Sequence, residues 1–88
     1  MRIVTVCGAG VGSSMMLRLY TQQILDQEGI SAEVDASDIG SVNTAAYDIV
    51  ITTSDFAELL RGSAAKVIKI DNMMDKVYLR EQLINAID

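Results

Sequence analysis

The chain has 88 residues, of which 12 are acidic and 7 basic, and half are hydrophobic. This length suits a single domain over residues 1–88, and the acidic balance disfavours nucleic acid as a partner. One cysteine excludes an internal disulfide, and the absence of histidine excludes a Cys/His zinc cluster or a Cys–His catalytic pair within the chain. No apolar stretch approaches the ~20 residues that span a bilayer, so we expect a cytoplasmic protein with a reduced thiol.

The first half of the sequence predicts a strand, a helix and a second strand. The β-branched run Ile3–Val6 is typical of a central parallel strand, because such a strand needs apolar residues on both faces. Ser13 or Ser14 can cap the helix that follows, and Gly29 is well placed to end it. The apolar face of this helix is expected to carry Met16, Leu17, Tyr20 and Ile24. The alternation of apolar and polar residues in Ser31–Asp35 predicts an edge strand.

The second half continues the alternation of strands and helices after a polar loop. Asp48–Ile51 predicts a second buried strand, and a short helix is expected over Asp55–Leu60. Lys66–Ile70 predicts the fourth strand. Asn72 and Asp75 resemble a capping pair for the last helix. The apolar side of that helix is expected to carry Leu79, Leu83, Ile84 and Ile87.

This order of elements predicts an α/β fold with a four-stranded parallel sheet in the order 2-1-3-4. Right-handed crossovers place helices on both faces, which gives a three-layer sandwich of the flavodoxin or Rossmann type. The strand order reverses between strands 1 and 3, and ligands bind at such a switch point. The loops that meet there are residues 7–13 and Thr52–Ser54. The hydroxyl groups of Thr52–Ser54 either reach a ligand or cap the next helix.

A glycine-rich loop between the first strand and the first helix carries the predicted chemistry. It consists of Cys7, Gly8, Ala9, Gly10, Val11, Gly12, Ser13 and Ser14. Glycines allow the N–H groups of such a loop to converge into an anion-binding nest, and the helix behind it adds partial positive charge. Arg2 and Arg18 are the only charged residues among residues 1–25, which also favours an anion. A thiol in this field favours the thiolate, and a phosphoryl group accepted on sulfur would have its oxygens in the nest.

Three other phosphate loops fit less well. A Walker loop requires a lysine that is absent here, and a dinucleotide fingerprint requires glycine at the position of Ser13. A cysteine-dependent phosphatase loop requires an arginine at that same position, since its guanidinium fork binds the phosphate. The residues therefore favour a phosphoryl carrier. A hydrolase of the low-molecular-weight phosphatase or arsenate-reductase type, or a non-enzymatic binding module with an inert cysteine, stays open as an alternative.

The run from Val6 to Met15 resembles the N-terminal motif of the enzyme IIB components of the bacterial phosphoenolpyruvate-dependent sugar phosphotransferase system. Within the lactose/ascorbate/galactitol class, the ascorbate-type group is the most similar. The resemblance implies a phosphotransferase in which Cys7 is phosphorylated by a IIA protein and passes the group to a carbohydrate bound by a membrane IIC permease. It also implies that residues Gly8–Ser14 bind the phosphoryl group and that the protein associates peripherally with the permease. No cofactor and no metal are expected.

Two apolar residues near the start of the first helix are candidates for partner docking. Met15 and Leu19 lie away from its predicted core face, and methionine is adaptable enough to meet two surfaces in turn. We therefore expect them to form a docking patch for IIA and IIC. In the alternative interpretation, both are half-buried against the loop or the edge of the sheet.

Overall fold

The computed structural model describes residues 1–8, 12–60, 62–72 and 75–87, with the backbone alone at 12–14. Its elements are β1 (Arg2–Cys7), α1 (Gly12–Gln27), β2 (Glu33–Asp38), a 3-10 turn (Thr44–Ala46), β3 (Ile49–Thr52), α2 (Ser54–Leu60), β4 (Lys66–Lys69) and α3 (Lys76–Ile87). Within the described ranges, none of the helices combines the length and the hydropathy that a membrane span requires.

The four strands form one parallel sheet in the order β2-β1-β3-β4, which confirms the predicted topology. β1 lies between β2 and β3, and Ile3–Val6 is completely buried. The β-branched and largely apolar character of this strand therefore follows from its central position, where both faces are covered.

Two apolar layers cover the two faces of the sheet, so the predicted three-layer arrangement is confirmed. On one face, Leu17 of α1 and Leu79 of α3 pack in a cluster with Ile3. On the other face, Leu60 at the end of α2 packs in a cluster with Val4. Successive residues of β1 point to opposite faces, so α1 and α3 share one face while α2 covers the other.

The buried face of α1 is rotated relative to the prediction. Leu17 and Ile24 are buried as expected, but Met16 is 44% exposed. Thr21 and Leu25, which were not expected on this face, are completely buried. The expectation for Met16 is therefore wrong. The buried positions follow the i, i+4, i+7, i+8 spacing of a helix that packs on a sheet, and the polar residue Thr21 concealed that spacing in the sequence.

Gly29 ends α1, as predicted. Its φ of 70° lies in the left-handed region, where glycine has no steric penalty. The N–H of Gly29 donates to the carbonyl of Asp26 at 3.3 Å, and the N–H of Ile30 donates to the carbonyl of Leu25 at 2.9 Å. These two bonds form a Schellman motif, and Ile30 packs against the cluster that contains Leu25, as that motif favours.

β2 is an edge strand, as predicted, but it spans Glu33–Asp38 and not Ser31–Asp35. The ladder begins where the Glu33 N–H donates to the carbonyl of Met1 at 3.0 Å. It then continues through six paired residues until Asp38 stands opposite Cys7. The residues between Gly29 and Glu33 are needed to connect the helix to the sheet, which shifts the strand along the chain.

α3 is capped by Asp75, and the prediction of an Asn72–Asp75 capping pair is only partly correct. The Asp75 carboxylate accepts a hydrogen bond from the Tyr78 N–H at 3.1 Å, which is the N-cap arrangement at a helix that begins at Lys76. Asn72 contributes its carbonyl, which accepts the Asp75 N–H at 3.0 Å. Leu79 and Leu83 are buried as predicted.

Candidate functional site

Cys7 is the last residue of the central strand and lies at the carboxyl edge of the sheet. Its side chain is 7% exposed, and its carbonyl accepts the Ile39 N–H at 2.8 Å. On the other side of β1, Val6 is paired with Thr52, the last residue of β3. The sulfur therefore lies at the switch point between β1 and β3, where a fold of this order binds its ligands.

The predicted phosphate-binding segment extends from Cys7 to the start of α1. Ala9, Gly10 and Val11 lie outside the described residues. The backbone of Gly12, Ser13 and Ser14 forms the first turn of α1, so the helix begins before both serines that were predicted to cap it. This turn contains no acidic residue, so no carboxylate of its own neutralises the positive end of the helix dipole.

The two arginines of the N-terminal region bind the β2 side of the sheet. Arg2 lies at the amino edge, at the opposite end of β1 from Cys7, and forms ion pairs with Glu33 at 3.5 Å and Asp35 at 3.6 Å. The Arg18 Nε donates to the carbonyl of Val34 at 2.8 Å. These contacts hold both guanidinium groups against the edge strand, and the expectation that the N-terminal segment favours an anion stays a prediction.

Thr52 has neither of the two roles that the sequence left open for it. Its side chain is completely buried, and its hydroxyl donates to the carbonyl of Val6 at 3.2 Å. This bond joins the end of β3 to the residue that precedes Cys7. Thr52 therefore stabilises the pairing of β1 and β3 next to Cys7.

The start of α2 is held by contacts from two loops. The carbonyl of Thr53 accepts the N–H groups of Phe56 and Ala57, both at 3.1 Å. The Ser54 N–H donates to the Asp71 carboxylate at 3.0 Å. Side-chain and backbone hydrogen bonds from Ser54 hold the pKa of Asp71 below its ordinary value, because they stabilise the charged carboxylate. The amino end of α2 is thus fixed beside the carboxyl edge of the sheet.

Phe56, which was not among the predicted site residues, reaches Gly8 from this helix. A Cβ added to Gly8 would lie 2.8 Å from the Cζ of the Phe56 ring and 3.3 Å from its Cε2. The ring therefore occupies the space that any side chain at position 8 would need. A single phenylalanine among aliphatic residues was the only signal in the sequence, and the contact itself depends on the fold.

Asp38 is the second residue at this edge that the sequence analysis missed. It stands opposite Cys7 in the register of β1 and β2, at the ~5 Å spacing of neighbouring strands. Its carboxylate accepts the Ser41 hydroxyl at 3.3 Å, and its carbonyl accepts the Ser41 N–H at 3.2 Å. Asp38 was missed because β2 was predicted to end at Asp35.

The candidate docking residues are exposed on the surface of α1. Met15 is 46% exposed and Leu19 is 57% exposed, so both have surface available to a partner. Met16 adds a third exposed apolar side chain to the first two turns. These residues follow the cysteine loop directly, so an apolar surface lies beside the candidate phosphorylation site.

Comparisons with known proteins identify the family of the chain. A family model described as "PTS system, Lactose/Cellobiose specific IIB subunit" matches residues 2–84. The ascorbate-specific PTS system EIIB component of Shigella sonnei is 30% identical to this chain, over 98% of the chain and 88% of the relative. The matched region therefore includes the cysteine loop and every strand of the sheet.

Two solved structures have a similar fold. The lactose-specific IIB component domain from Streptococcus pneumoniae superposes with a TM-score of 0.69 at 14% identity, over 98% of this chain and 89% of that domain. A low molecular weight protein tyrosine phosphatase from Bacillus subtilis gives 0.57 at 12% identity, over 98% and 91%. At these identities the similarity shows a shared fold and does not separate carrier from hydrolase.

Proposed function

Since the chain belongs to the lactose/cellobiose-specific IIB family of the phosphotransferase system, we propose that Cys7 carries a phosphoryl group from a IIA protein to a carbohydrate. In this proposal a membrane IIC permease holds the carbohydrate, and the protein works at the cytoplasmic face of that permease. The observation that supports this most directly is the place of Cys7. The only cysteine of the chain ends the central strand, immediately before the glycine-rich segment that leads into α1.

The transfer proceeds in two displacements at phosphorus. The Cys7 thiolate attacks the phosphoryl group of the donor, so that an S–P bond forms and the bond from phosphorus to the donor breaks. A hydroxyl oxygen of the carbohydrate then attacks phosphorus and loses its proton to solvent, and the S–P bond breaks to return the thiolate. The backbone N–H groups of residues 8–14 and the amino end of α1 are proposed to bind the phosphoryl oxygens in both steps.

A carrier fits these residues better than a hydrolase does. Ser13 stands where a cysteine-dependent phosphatase has arginine, so the fork that clamps a phosphoester is absent from the loop. Asp38 lies next to Cys7 in the sheet, but its carboxylate is hydrogen-bonded to Ser41. Because the loop has neither an arginine clamp nor a dedicated base to activate water, the phosphocysteine survives until it meets its acceptor.

The carbohydrate is bound by the permease in this proposal, so the substrate class comes from the relatives. The relative from Shigella sonnei is described as ascorbate-specific, and the N-terminal motif resembles that of the ascorbate-type group. Ascorbate is therefore the first acceptor to test, with other sugars after it.

The proposal is tested by following labelled phosphate from phosphoenolpyruvate through enzyme I, HPr and a IIA protein of the ascorbate type. Label should appear on this protein and move to ascorbate only when vesicles containing the IIC permease are added. Cys7→Ser should block both steps. Cysteine-dependent release of inorganic phosphate from an aryl phosphate, without labelling by IIA, would instead support the hydrolase.

A further inference from the structure

The ring of Phe56 packs against Gly8, the residue that follows the proposed phosphorylation site. The nearest ring atom, Cζ, lies 2.8 Å from the position of a Cβ on Gly8, and real Cβ atoms essentially never approach another heavy atom so closely. A side chain at position 8 would therefore have to move the ring or the Gly8 backbone. The ring also restricts where the backbone of Gly8 can lie.

Hydrogen bonds hold the start of α2, the helix that carries the ring. Phe56 is half-buried, and its N–H donates to the carbonyl of Thr53 in the first turn of α2. The Asp71 carboxylate holds the preceding turn through the Ser54 N–H, and the Thr52 hydroxyl binds β3 to β1 at Val6. Together these contacts connect the start of α2 to the carboxyl edge of the sheet, where β1 ends.

We propose that Phe56 is a positioning residue for phosphoryl transfer, because its ring fixes the backbone of Gly8 beside the Cys7 sulfur. This proposal rests on the proposed function of Cys7. Glycine has more conformational freedom than any other residue, so the N–H of Gly8 needs an external constraint to hold it in place. Phe56 supplies that constraint from the first turn of α2. Preorganised N–H groups stabilise the transition state, and their displacement slows the transfer step.

The first test separates positioning from docking and from general packing. Phe56→Ala should lower the saturated rate of phosphorylation by IIA on the order of tenfold, since small misplacements of reacting groups are costly, and leave KM for IIA unchanged. Phe56→Met, which refills the space with a flexible apolar chain, should recover most of the rate. Leu59→Ala is the matched control, because Leu59 lies on the same helix and is 71% exposed. A rise in KM with an unchanged saturated rate would contradict positioning and assign Phe56 to the partner interface.

The second test uses compensation between the two residues in contact. Gly8→Ala should slow phosphorylation, because the new methyl group meets the ring. The double variant Gly8→Ala/Phe56→Ala should be faster than Gly8→Ala alone, since removal of the ring makes room for that methyl. A double variant whose loss of activation free energy equals the sum of the losses in Gly8→Ala and Phe56→Ala would refute a direct contact between the two positions.

The wild type, Gly8→Ala, Phe56→Ala and the double variant should also be compared by urea unfolding. The double variant is expected to lose less stability than the sum of the two single losses, whether or not IIA phosphorylates the protein. A wild-type protein that accepts no phosphoryl group would thus refute the proposed function. Additive unfolding free energies would refute the contact between Phe56 and Gly8, on which the positioning role depends.

Discussion

Thr21 is a buried residue whose replacement is expected to stabilise the protein. It lies in the middle of α1, is completely buried, and has a hydroxyl without a hydrogen-bond partner in the part of the chain that the structure describes. A buried hydroxyl without a partner keeps the full cost of losing its bonds to water. Thr21→Val replaces it with a methyl group of similar shape and removes that cost.

The expected gain follows from three contributions. Burial of an unpaired hydroxyl costs about 1–3 kcal/mol. Threonine and valine have similar helix propensity, so the helix itself is little affected. The methyl group is slightly larger than the hydroxyl, and crowding subtracts part of the gain. We expect a net increase of about 1 kcal/mol in the free energy of unfolding, which corresponds to a Tm higher by about 4–8 °C.

Thr52→Val is the matched control, because Thr52 is equally buried and its hydroxyl donates to the carbonyl of Val6. The same replacement there should lower stability by about 1 kcal/mol, the usual contribution of a hydrogen bond. Thermal and urea unfolding, followed by circular dichroism, measure both variants. If Thr21→Val lowers stability as much as Thr52→Val does, the reasoning is refuted. The hydrogen-bonding state of the two hydroxyl groups would then make no difference to stability.

Three further predictions concern the surface. Met15→Ser and Leu19→Ser should lower the rate of phosphoryl transfer by about fivefold when the concentration of the IIA protein is limiting, without loss of stability. Leu59→Ser should leave that rate unchanged. Equal rates in all the variants and the wild type would exclude the docking patch. Asp75→Ala should lower the free energy of unfolding by about 1 kcal/mol through loss of the α3 cap, as measured in urea; an unchanged midpoint would contradict the cap. Because the folded-state pKa of Asp71 is depressed, its contribution to stability is present at neutral pH and is lost as pH falls below about 4. Asp71→Asn should therefore make unfolding less sensitive to acid, and an unaltered pH profile would refute this.

The general plan of the fold could be predicted because its signals are local. The β-branched run Ile3–Val6 indicated a central strand, and Gly29 indicated the end of α1. Crossover handedness then limited the order of the strands. Strand boundaries that depend on pairing with another strand were harder to predict. β2 is shifted because its register is set by pairing with β1, and the residues of Ser31–Asp35 contain no information about that pairing.

The candidate site was only partly predictable for a similar reason. Cys7 and the following glycines are adjacent in sequence, so their chemistry could be interpreted directly. Asp38 and Phe56 reach the same edge from other elements, and only the completed sheet brings them near Cys7 and Gly8. The exposure of Met16 also followed from tertiary packing, because a polar residue, Thr21, took a buried place on α1.

The central claim, that Cys7 carries the phosphoryl group, is tested most directly by intact-protein mass spectrometry. The wild-type protein and Cys7→Ser are incubated with phosphoenolpyruvate, enzyme I, HPr and an ascorbate-type IIA protein of proven activity. We predict the mass of one added phosphoryl group on the wild type, located by peptide mapping to Cys7, and none on the variant. An unmodified wild-type protein, or an equal gain of mass on Cys7→Ser, would contradict the claim.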